Sequence, residues 1–312
     1  MKSVSIIIPA YNEEKNIPLV HQELQKIFAA CPNYTFDIFF VNDGSSDNTI
    51  GEIERLTAID PNVKYLDFSR NFGKELATTA ALNNCQGDAA IMVDADLQHP
   101  VELIPEFLKK WEEGFEVVVG VRNANKSVGI LKKIGSKLFY EIINRIAEVK
   151  VVPNTTDFRL LDRAVISEFN RFTETNRMTR ALIDWLGFRR AYIQFEANER
   201  IHGDASYSFW KLFKLALNSF ISLSLLPLKL AGNLGVVITL LSGIAGFYIF
   251  LGKYFFHWHF ASTFSDSENL AILILFMVGI VLTSIGLMAL YIANIHSEVI
   301  DRPMYIIRKK KV

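Results

Sequence analysis

The chain has 312 residues with 33 basic and 33 acidic side chains, so its formal net charge is zero. Half of the residues are apolar and 21% are charged, a composition that excludes a disordered, collagen-like or coiled-coil protein. The chain has no excess of basic residues, so its charge does not indicate a nucleic-acid partner. The charge is unevenly divided, because residues 1–210 carry a net charge of −5 and residues 211–312 carry +5. The sequence therefore predicts two parts of different character.

Apolar, β-rich runs alternate with helical patterns through the first part of the chain. The runs are Val4–Ile8, Phe36–Val41, Val63–Phe68, Ala89–Val93 and Val117–Val121. The helical patterns between them lie near Asn16–Ala30, Thr49–Ile59, Glu75–Cys85 and Val101–Glu113. This alternation predicts an α/β layer fold with a mainly parallel sheet. Ligands of such sheets bind at the carboxyl ends of the strands, so the residues after each strand are the candidates for chemistry.

Polar segments follow each of the first four predicted strands. They are Pro9–Glu14, Asn42–Thr49, Ser69–Lys74 and Asp94–Pro100. Asp94 and Asp96 stand two residues apart, where a loop can turn both carboxylates toward one cleft. Such a pair suits a hard divalent cation, which in turn suits a diphosphate. Most isolated Asp-x-Asp pairs are turns or helix caps. Here the pair indicates a functional site because it occurs together with the other three strand-end segments.

Two long uncharged runs lie near the C-terminus. Leu230–Gly252 has 23 residues and Leu270–Ile295 has 26, and about 20 helical residues suffice to cross the hydrocarbon layer of a membrane. We therefore predict a hairpin of two transmembrane helices over 229–296. Basic residues flank the hairpin, whereas His257–Ser267 between the two runs contains no Lys or Arg. Lys253, at the outer end of the first run, can extend its ammonium group to the membrane interface. The positive-inside rule then places both termini in the cytoplasm.

Three further segments complete the predicted organisation. Residues 1–205 form the cytoplasmic catalytic domain, and residues 297–312 form a basic cytoplasmic tail. Between the catalytic domain and the hairpin, residues 206–228 carry aromatic, Lys and Ser side chains typical of an amphipathic helix in the membrane interface. A helix that docks on the catalytic domain is the alternative for this segment.

The four strand-end segments resemble the motifs of family 2 glycosyltransferases with the GT-A (Rossmann-like) fold. More narrowly, the chain resembles the polyprenyl-phosphate glycosyltransferases, which include the bactoprenol glucosyltransferases and, more distantly, dolichol-phosphate mannose synthase. The narrower resemblance rests on Arg70–Glu75, Asp94–Gln98, Asp157–Arg163 and the two C-terminal spans. It covers essentially the whole chain.

The resemblance implies a nucleotide-sugar site at the strand ends. Asp43 and Tyr11 would line the base and ribose, while Asp96 and Gln98 would hold Mg²⁺ or Mn²⁺ against the donor diphosphate. The family often has Asp where Asn42 stands, so the base contact is assigned to Asp43 alone. The full set implied for the nucleotide sugar is Pro9, Tyr11, Glu13, Asp43, Lys74, Asp94 and Asp96.

The catalytic residues implied by the resemblance are Asp157, Asp96 and Arg200. Asp157 would face the transferred sugar as a candidate general base, and Arg200, in a closing loop, would reach the donor diphosphate. A phosphate acceptor has a second pKa of about 6 and needs little deprotonation at neutral pH. Asp157 is therefore also a candidate for orienting a hydroxyl or for a structural pair with Arg159 or another cation.

A basic stretch over Val121–Tyr140 contains no acidic residue. The resemblance implies that Arg122, Lys132 and Ser136, together with Lys137, hold the phosphate of the lipid acceptor at the membrane surface. A solvated basic face is the alternative for this stretch.

Together these patterns and the family resemblance imply a membrane-anchored, metal-dependent inverting glycosyltransferase of the inner (plasma) membrane. It would move a hexose from UDP-glucose or UDP-N-acetylglucosamine to undecaprenyl phosphate, for use on cell-wall polymers or lipopolysaccharide. The alternatives are a mannosyltransferase that uses GDP-mannose, and a non-catalytic membrane scaffold or nucleotide-sugar sensor. The expected partners are the nucleotide sugar, the polyprenyl phosphate, the membrane and, by family analogy, further copies of the chain in a tetramer.

Overall fold

The structure is a computed structural model that describes residues 1–123, 152, 154–174, 177–196, 251, 266–300 and 302–312. The chain divides into two compact units. The first comprises Met1–Ser206 together with Arg302–Val312, and the second comprises Tyr207–Asp301.

One sheet organises the first unit. Within the described residues it has eight strands, in the order β7-β5-β6-β4-β1-β2-β3-β8. Their bounds are β1 (Lys2–Ala10), β2 (Tyr34–Asn42), β3 (Val63–Phe68), β4 (Ala89–Met92), β5 (Val117–Arg122), β6 (Thr155–Asp162), β7 (Arg190–Phe195) and β8 (Ile307–Lys311). Strands β1 to β4 are parallel and β5 is parallel to β7, whereas β6 and β8 are antiparallel to their neighbours. The five predicted strands all form.

Helices connect the strands where the sequence patterns predict them. Among its described residues, this unit has the helices α1 (Asn16–Ala30), α2 (Thr49–Ile59), α3 (Lys74–Asn84), α4 (Ile104–Glu112), α5 (Arg163–Phe169) and α6 (Thr179–Trp185). The predicted region Val101–Glu113 begins with a separate 3₁₀ turn, and α4 follows it with a proline in its first turn. Proline suits this position because the first amide groups of a helix have no partner inside the helix.

Side chains pack on both faces of the sheet. Ile6 and Ile8 of β1 belong to one buried cluster, and Ile7 belongs to the other. All three are fully buried. A strand that is covered on both faces has no polar side, which is why β1 is a continuous apolar run in the sequence rather than an alternating one.

The C-terminal residues join the sheet of the first unit. Strand β8 pairs antiparallel with β3, from Tyr65 opposite Lys311 to Phe68 opposite Ile307. The sequence indicated only a basic tail here, because three of the five residues are lysine and one is arginine. On an edge strand these charged side chains face solvent, so β8 lacks the apolar alternation that marks a strand in sequence.

The second unit contains helix α7 (Asp266–Val299), which includes the second uncharged run. Taken over the residues that the structure describes, none of the helices meets the combined length and apolarity of a membrane span. The predicted transmembrane hairpin is therefore not seen in the part of the chain that the structure describes. Its first run, apart from residue 251, and the predicted amphipathic helix lie outside the described residues.

Candidate active site

A cleft of about 380 Å³ opens at the carboxyl edge of the parallel strands. The four polar segments identified in the sequence meet there, because β1 to β4 all end at this edge. The lining residues include every residue assigned to the nucleotide sugar. They are Pro9, Ala10, Tyr11, Glu13, Asp43, Asn71, Gly73, Lys74, Asp94, Ala95 and Asp96.

Asp43 fastens the loop after β2 to the loop after β3. Its carboxylate accepts hydrogen bonds from the backbone amides of Phe72 at 2.7 Å and Gly73 at 2.9 Å. Gly44, at φ +64°, lies against the backbone of Arg70, and a Cβ there would come within 2.2 Å of the Arg70 carbonyl carbon. Burial raises the pKa of Asp43, although the two amide hydrogen bonds oppose that rise. Asp43 therefore shapes the cleft as well as lining it.

The structure explains why residue 42 is Asn where the family often has Asp. Its side-chain amide donates to the buried carboxylate of Asp67 at 2.7 Å, and its carbonyl oxygen accepts from the Ser45 hydroxyl at 2.5 Å. An aspartate at this position would place two carboxylates against each other in a buried site. The neighbouring Asp67 thus accounts for the amide at position 42.

Lys74 links the two acidic parts of the cleft. Its Nζ lies 2.6 Å from Oδ1 of Asp94 and 2.8 Å from Oδ2 of Asp157. Burial would lower the pKa of Lys74, but Asp94 and Asp157 raise it above the ordinary value. The ammonium group is therefore a permanent positive charge, which suits the binding of a diphosphate.

Arg180 supplies a second cation at Asp157. Its Nε lies 2.8 Å from Oδ1 of Asp157, so each carboxylate oxygen contacts one positive charge. Burial would raise the pKa of Asp157, but Lys74 and Arg180 lower it below the usual range of a carboxyl group. A carboxylate with a lowered pKa is a weak base. The geometry matches the structural pair that the sequence left open, with Lys74 and Arg180 as the cations in place of Arg159.

A ladder of ion pairs holds helix α6 against β6. Asp157 pairs with Arg180, and the fully buried Arg159 pairs with Asp184 at 3.0 Å. Two residues along a strand span about 6.6 Å and four residues along a helix span about 6 Å, so the two pairs fit side by side. Arg190 of β7 also lies 3.2 Å from Asp184. Arg180 was not identified from the sequence. A signal for it exists, because Arg180 and Asp184 lie four residues apart on one face of a helix, and their partners Asp157 and Arg159 lie two residues apart on one face of a strand.

Asp96 is the candidate metal ligand at the cleft. Its Oδ1 accepts from the backbone amide of Gln98 at 3.1 Å, which is the turn expected of an Asp-x-Gln segment. Among the described residues no group of three or more His, Cys, Asp or Glu side chains is arranged to hold a metal ion. Mg²⁺ is commonly held by one or two carboxylates together with substrate phosphates and water. The carboxylate of Asp96, which lines the cleft, fits such a shared site.

His99 lies buried directly beneath the acidic pair. Its Nδ1 accepts from the backbone amide of Asp94 at 3.2 Å, and its ring stacks on Phe158 at 5.2 Å between centroids. Burial lowers the pKa of His99 below the ordinary value of an imidazole. The neutral ring serves as packing under the loop.

The residues predicted for the lipid phosphate are only partly described. Arg122 is exposed at the end of β5, and β5 ends at the same edge of the sheet as β4 because both are antiparallel to β6. Its backbone amide donates to the carbonyl of Asn154 at 3.0 Å. Lys132, Ser136, Lys137 and Arg200 lie outside the described residues.

Known proteins are similar to this chain in sequence and in fold. The sequence profile of glycosyl transferase family 2 matches residues 5–169, more than half of the chain. The chain belongs to glycosyl transferase family 2. This glycosyltransferase is 35% identical over 308 residues to the prophage bactoprenol glucosyl transferase homolog of Escherichia coli strain K12, with 99% of each protein covered.

Two further similarities concern a second relative and the fold. The glycosyltransferase is 38% identical over 305 residues to the uncharacterized glycosyltransferase YkcC of Bacillus subtilis strain 168, covering 98% of this chain and 93% of the relative. Its fold is similar to the crystal structure of mannosyl-3-phosphoglycerate synthase from Rubrobacter xylanophilus, with a TM-score of 0.50 and 17% identity over 69% of this chain and 70% of that one. The predicted family and the GT-A-like α/β fold with a mostly parallel sheet are confirmed.

Proposed function

We propose that this family 2 glycosyltransferase transfers a hexose from a nucleotide sugar to a polyprenyl phosphate. The observation that carries the proposal is the similarity to bactoprenol glucosyl transferases over 98–99% of the chain. That similarity extends well beyond residues 5–169 of the family profile. The cleft supports it, because a carboxylate and a permanent cation lie where a donor diphosphate would be held.

The reaction is a single displacement. An oxygen of the lipid phosphate attacks the anomeric carbon of the sugar and forms the new C–O bond. The bond between that carbon and the donor diphosphate breaks on the opposite face, so the configuration inverts. Asp96 and Gln98 would hold Mg²⁺ or Mn²⁺, which when bound offsets the charge of the leaving diphosphate. Arg200 is the proposed second cation on that leaving group.

Asp157 positions charge in this scheme. It holds Lys74 at the cleft and Arg180 beside it, and its lowered pKa makes it a poor proton acceptor. The acceptor phosphate is already largely ionised at neutral pH. The reaction therefore proceeds without a general base at residue 157.

We further propose that the enzyme is anchored in the inner (plasma) membrane with its catalytic unit in the cytoplasm. Helix α7 supports this, because it exposes large apolar side chains, among them Ile274, Val281, Ile285 and Ile292, each at least half exposed. Strand β8 also belongs to the same sheet as β3. Because the chain leaves this unit and returns to it, the intervening segment must cross a membrane an even number of times.

UDP-glucose or UDP-N-acetylglucosamine is the proposed donor, and undecaprenyl phosphate is the proposed acceptor. The experiment is a donor screen with the purified full-length protein, in which the lipid product is identified by mass spectrometry. A polyprenyl-phosphate hexose from a UDP-sugar is the expected result, and a hexose from GDP-mannose would select the mannosyltransferase alternative. Binding of nucleotide without any lipid-linked product would contradict transfer and favour a nucleotide-sugar sensor.

A further inference from the structure

The C-terminal residues contact the loop that forms one wall of the cleft. This loop, Ser69–Gly73, follows β3 directly and is called the donor loop below. The backbone amide of Ser69 donates to the carbonyl of Ile306 at 2.9 Å. The guanidinium of Arg308 donates to the carbonyl of Ser69 at 2.8 Å. Residues of the C-terminus therefore bind both backbone polar groups at the start of the donor loop.

Aromatic side chains continue this contact into the loop. The ring of Tyr305 stacks on Phe68, with 5.2 Å between centroids and 15° between planes. Phe68 in turn meets the edge of Phe72 at 5.6 Å and 85°. The hydroxyl of Tyr305 accepts from the side-chain amide of Asn83 on α3 at 3.2 Å. Stacked and edge-to-face pairs at these separations are attractive, so Tyr305 fixes Phe72 through Phe68.

The donor loop is thus held from two sides. Asp43 binds the amides of Phe72 and Gly73 from within the cleft, and Tyr305, Ile306 and Arg308 hold the beginning of the loop. Asn71 lies between these two attachments and lines the cleft together with Gly73, and Lys74 follows at once. Without the C-terminal attachment, β3 would become an edge strand and both polar groups of Ser69 would face water.

We infer that Tyr305 and Arg308 are positioning residues for the nucleotide sugar, because they hold the donor loop in the conformation that lines the cleft. The inference rests on the proposed function for the identity of the ligand. A loop that is ordered before binding spares the ligand the entropy of ordering it. Tyr305 and Arg308 therefore raise donor affinity although neither lines the cleft.

Kinetics of the purified full-length enzyme in neutral detergent test the inference. Tyr305→Ala removes the stacked ring, and Arg308→Ala removes the hydrogen bond to Ser69 together with the 3.8 Å ion pair to Asp67. We expect each to raise the KM for UDP-glucose roughly 5- to 10-fold, the cost of ordering one or two side chains on binding. The KM for undecaprenyl phosphate should stay within about twofold. Tyr305→Phe keeps the stack and should restore the wild-type KM.

Lys310→Ala is the matched control. Lys310 lies on the same strand, is exposed, and carries the same charge as Arg308. Its loss should leave the KM for UDP-glucose unchanged. A uniform rise across Arg308→Ala and Lys310→Ala would show that net charge alone matters, which would overturn the positioning role of Arg308.

Hydrogen–deuterium exchange provides a readout that does not depend on turnover. The amides of residues 69–73 should exchange faster in Arg308→Ala and Tyr305→Ala than in the wild-type protein, with no such change in Lys310→Ala. Unchanged exchange and an unchanged KM, even with a lower melting temperature, would reduce Tyr305 and Arg308 to a purely structural role. A wild-type protein that transfers no sugar would contradict the proposed function instead, and the exchange result would still decide the inference.

Discussion

The charge state of Asp157 is set by its neighbours rather than by its own chemistry. Lys74 and Arg180 each contact one of its oxygens, at 2.8 Å in both cases. A carboxylate held in this way stays ionised and has little tendency to take a proton. Its value to the enzyme lies in the two cations that it holds near the cleft.

A first prediction concerns the rate at different pH values. Asp157→Asn should lower kcat, because Lys74 and Arg180 lose the charge that orients them. The variant should keep the pH dependence of kcat seen in the wild-type enzyme, because no proton moves to residue 157. Steady-state rates between pH 5 and pH 9 measure both quantities. If kcat of the wild-type enzyme rises with pH on the acid side and this rise is absent in Asp157→Asn, Asp157 acts as a general base after all.

A second prediction concerns stability at low pH. The folded pKa of Asp157 lies below its unfolded value of about 4. The ion pairs therefore contribute stability that is fully present above pH 4 and is lost as the pH falls through the folded pKa. The melting temperature of the wild-type protein should exceed that of Asp157→Asn at pH 7, and the gap should narrow below about pH 4. A gap independent of pH would contradict the lowered pKa.

A third prediction concerns the metal. Asp96→Asn removes the charge of the candidate ligand without changing its shape. Transfer should fall by about 100-fold or more, because a bound metal supplies several kcal/mol to the transition state. Glu102→Gln, an exposed acid in the 3₁₀ turn just after this segment, is the control and should keep its rate. Near-wild-type turnover of Asp96→Asn at saturating donor and metal would exclude Asp96 as a ligand.

At the scale of secondary-structure elements, buried ion pairs hold helix α6 in position against β6. Arg159 is fully buried on β6, and its partner Asp184 is the residue of α6 that also meets Arg190. A helix of seven residues has little stability of its own. Its position against β6, and with it the position of Arg180, therefore rests on these pairs and on the buried Ile183.

A fourth prediction follows for this helix. Asp184→Ala leaves the guanidinium of Arg159 buried without its partner, which costs about 3–5 kcal/mol in comparable sites. Glu168→Ala is the control, because Glu168 forms an exposed pair with Arg171 and such pairs contribute about 0–1 kcal/mol. Denaturant unfolding of both variants measures the difference. Equal losses of unfolding free energy in the two variants would contradict the claim that the buried Arg159–Asp184 pair holds α6 in place.

For the whole molecule, strand β8 restricts the topology. Residues 302–312 share a compact unit with residues 1–206, so the segment between them begins and ends on one side of any membrane. A single crossing is incompatible with the pairing of β8 and β3. The pairing of β8 with β3 thus restricts the topology whatever the distribution of Lys and Arg along the chain.

A fifth prediction tests that topology in intact cells. Ser262→Cys, between the two uncharged runs, should react with a membrane-impermeant thiol reagent. Lys310→Cys, exposed on β8, should react only after the cells are opened. The native Cys31 and Cys85 are buried and should contribute little background. Labelling of Lys310→Cys in intact cells would place the catalytic unit outside the cytoplasm.

Local sequence patterns determined most of the elements. The apolar runs of β1 to β5 and the helical patterns of α1 to α4 are signals carried by neighbouring residues. The same holds for the polar segments after β1 to β4, since parallel strands must end at one edge and bring those segments together. The seven residues assigned to the nucleotide sugar therefore meet in one cleft.

Contacts between distant residues were decided only by the tertiary structure. Lys74 meets Asp157 across 83 positions, and Arg308 meets Ser69 across 239. Neither pair leaves a periodic signal, because a charged side chain looks the same in sequence whether it faces solvent or a partner. Strand β8 could not be predicted for the same reason, because edge strands tolerate charged residues on both faces and so need no apolar alternation. Burial and pairing, which exist only in the folded chain, settle the charge state of Asp157 and the attachment of the donor loop.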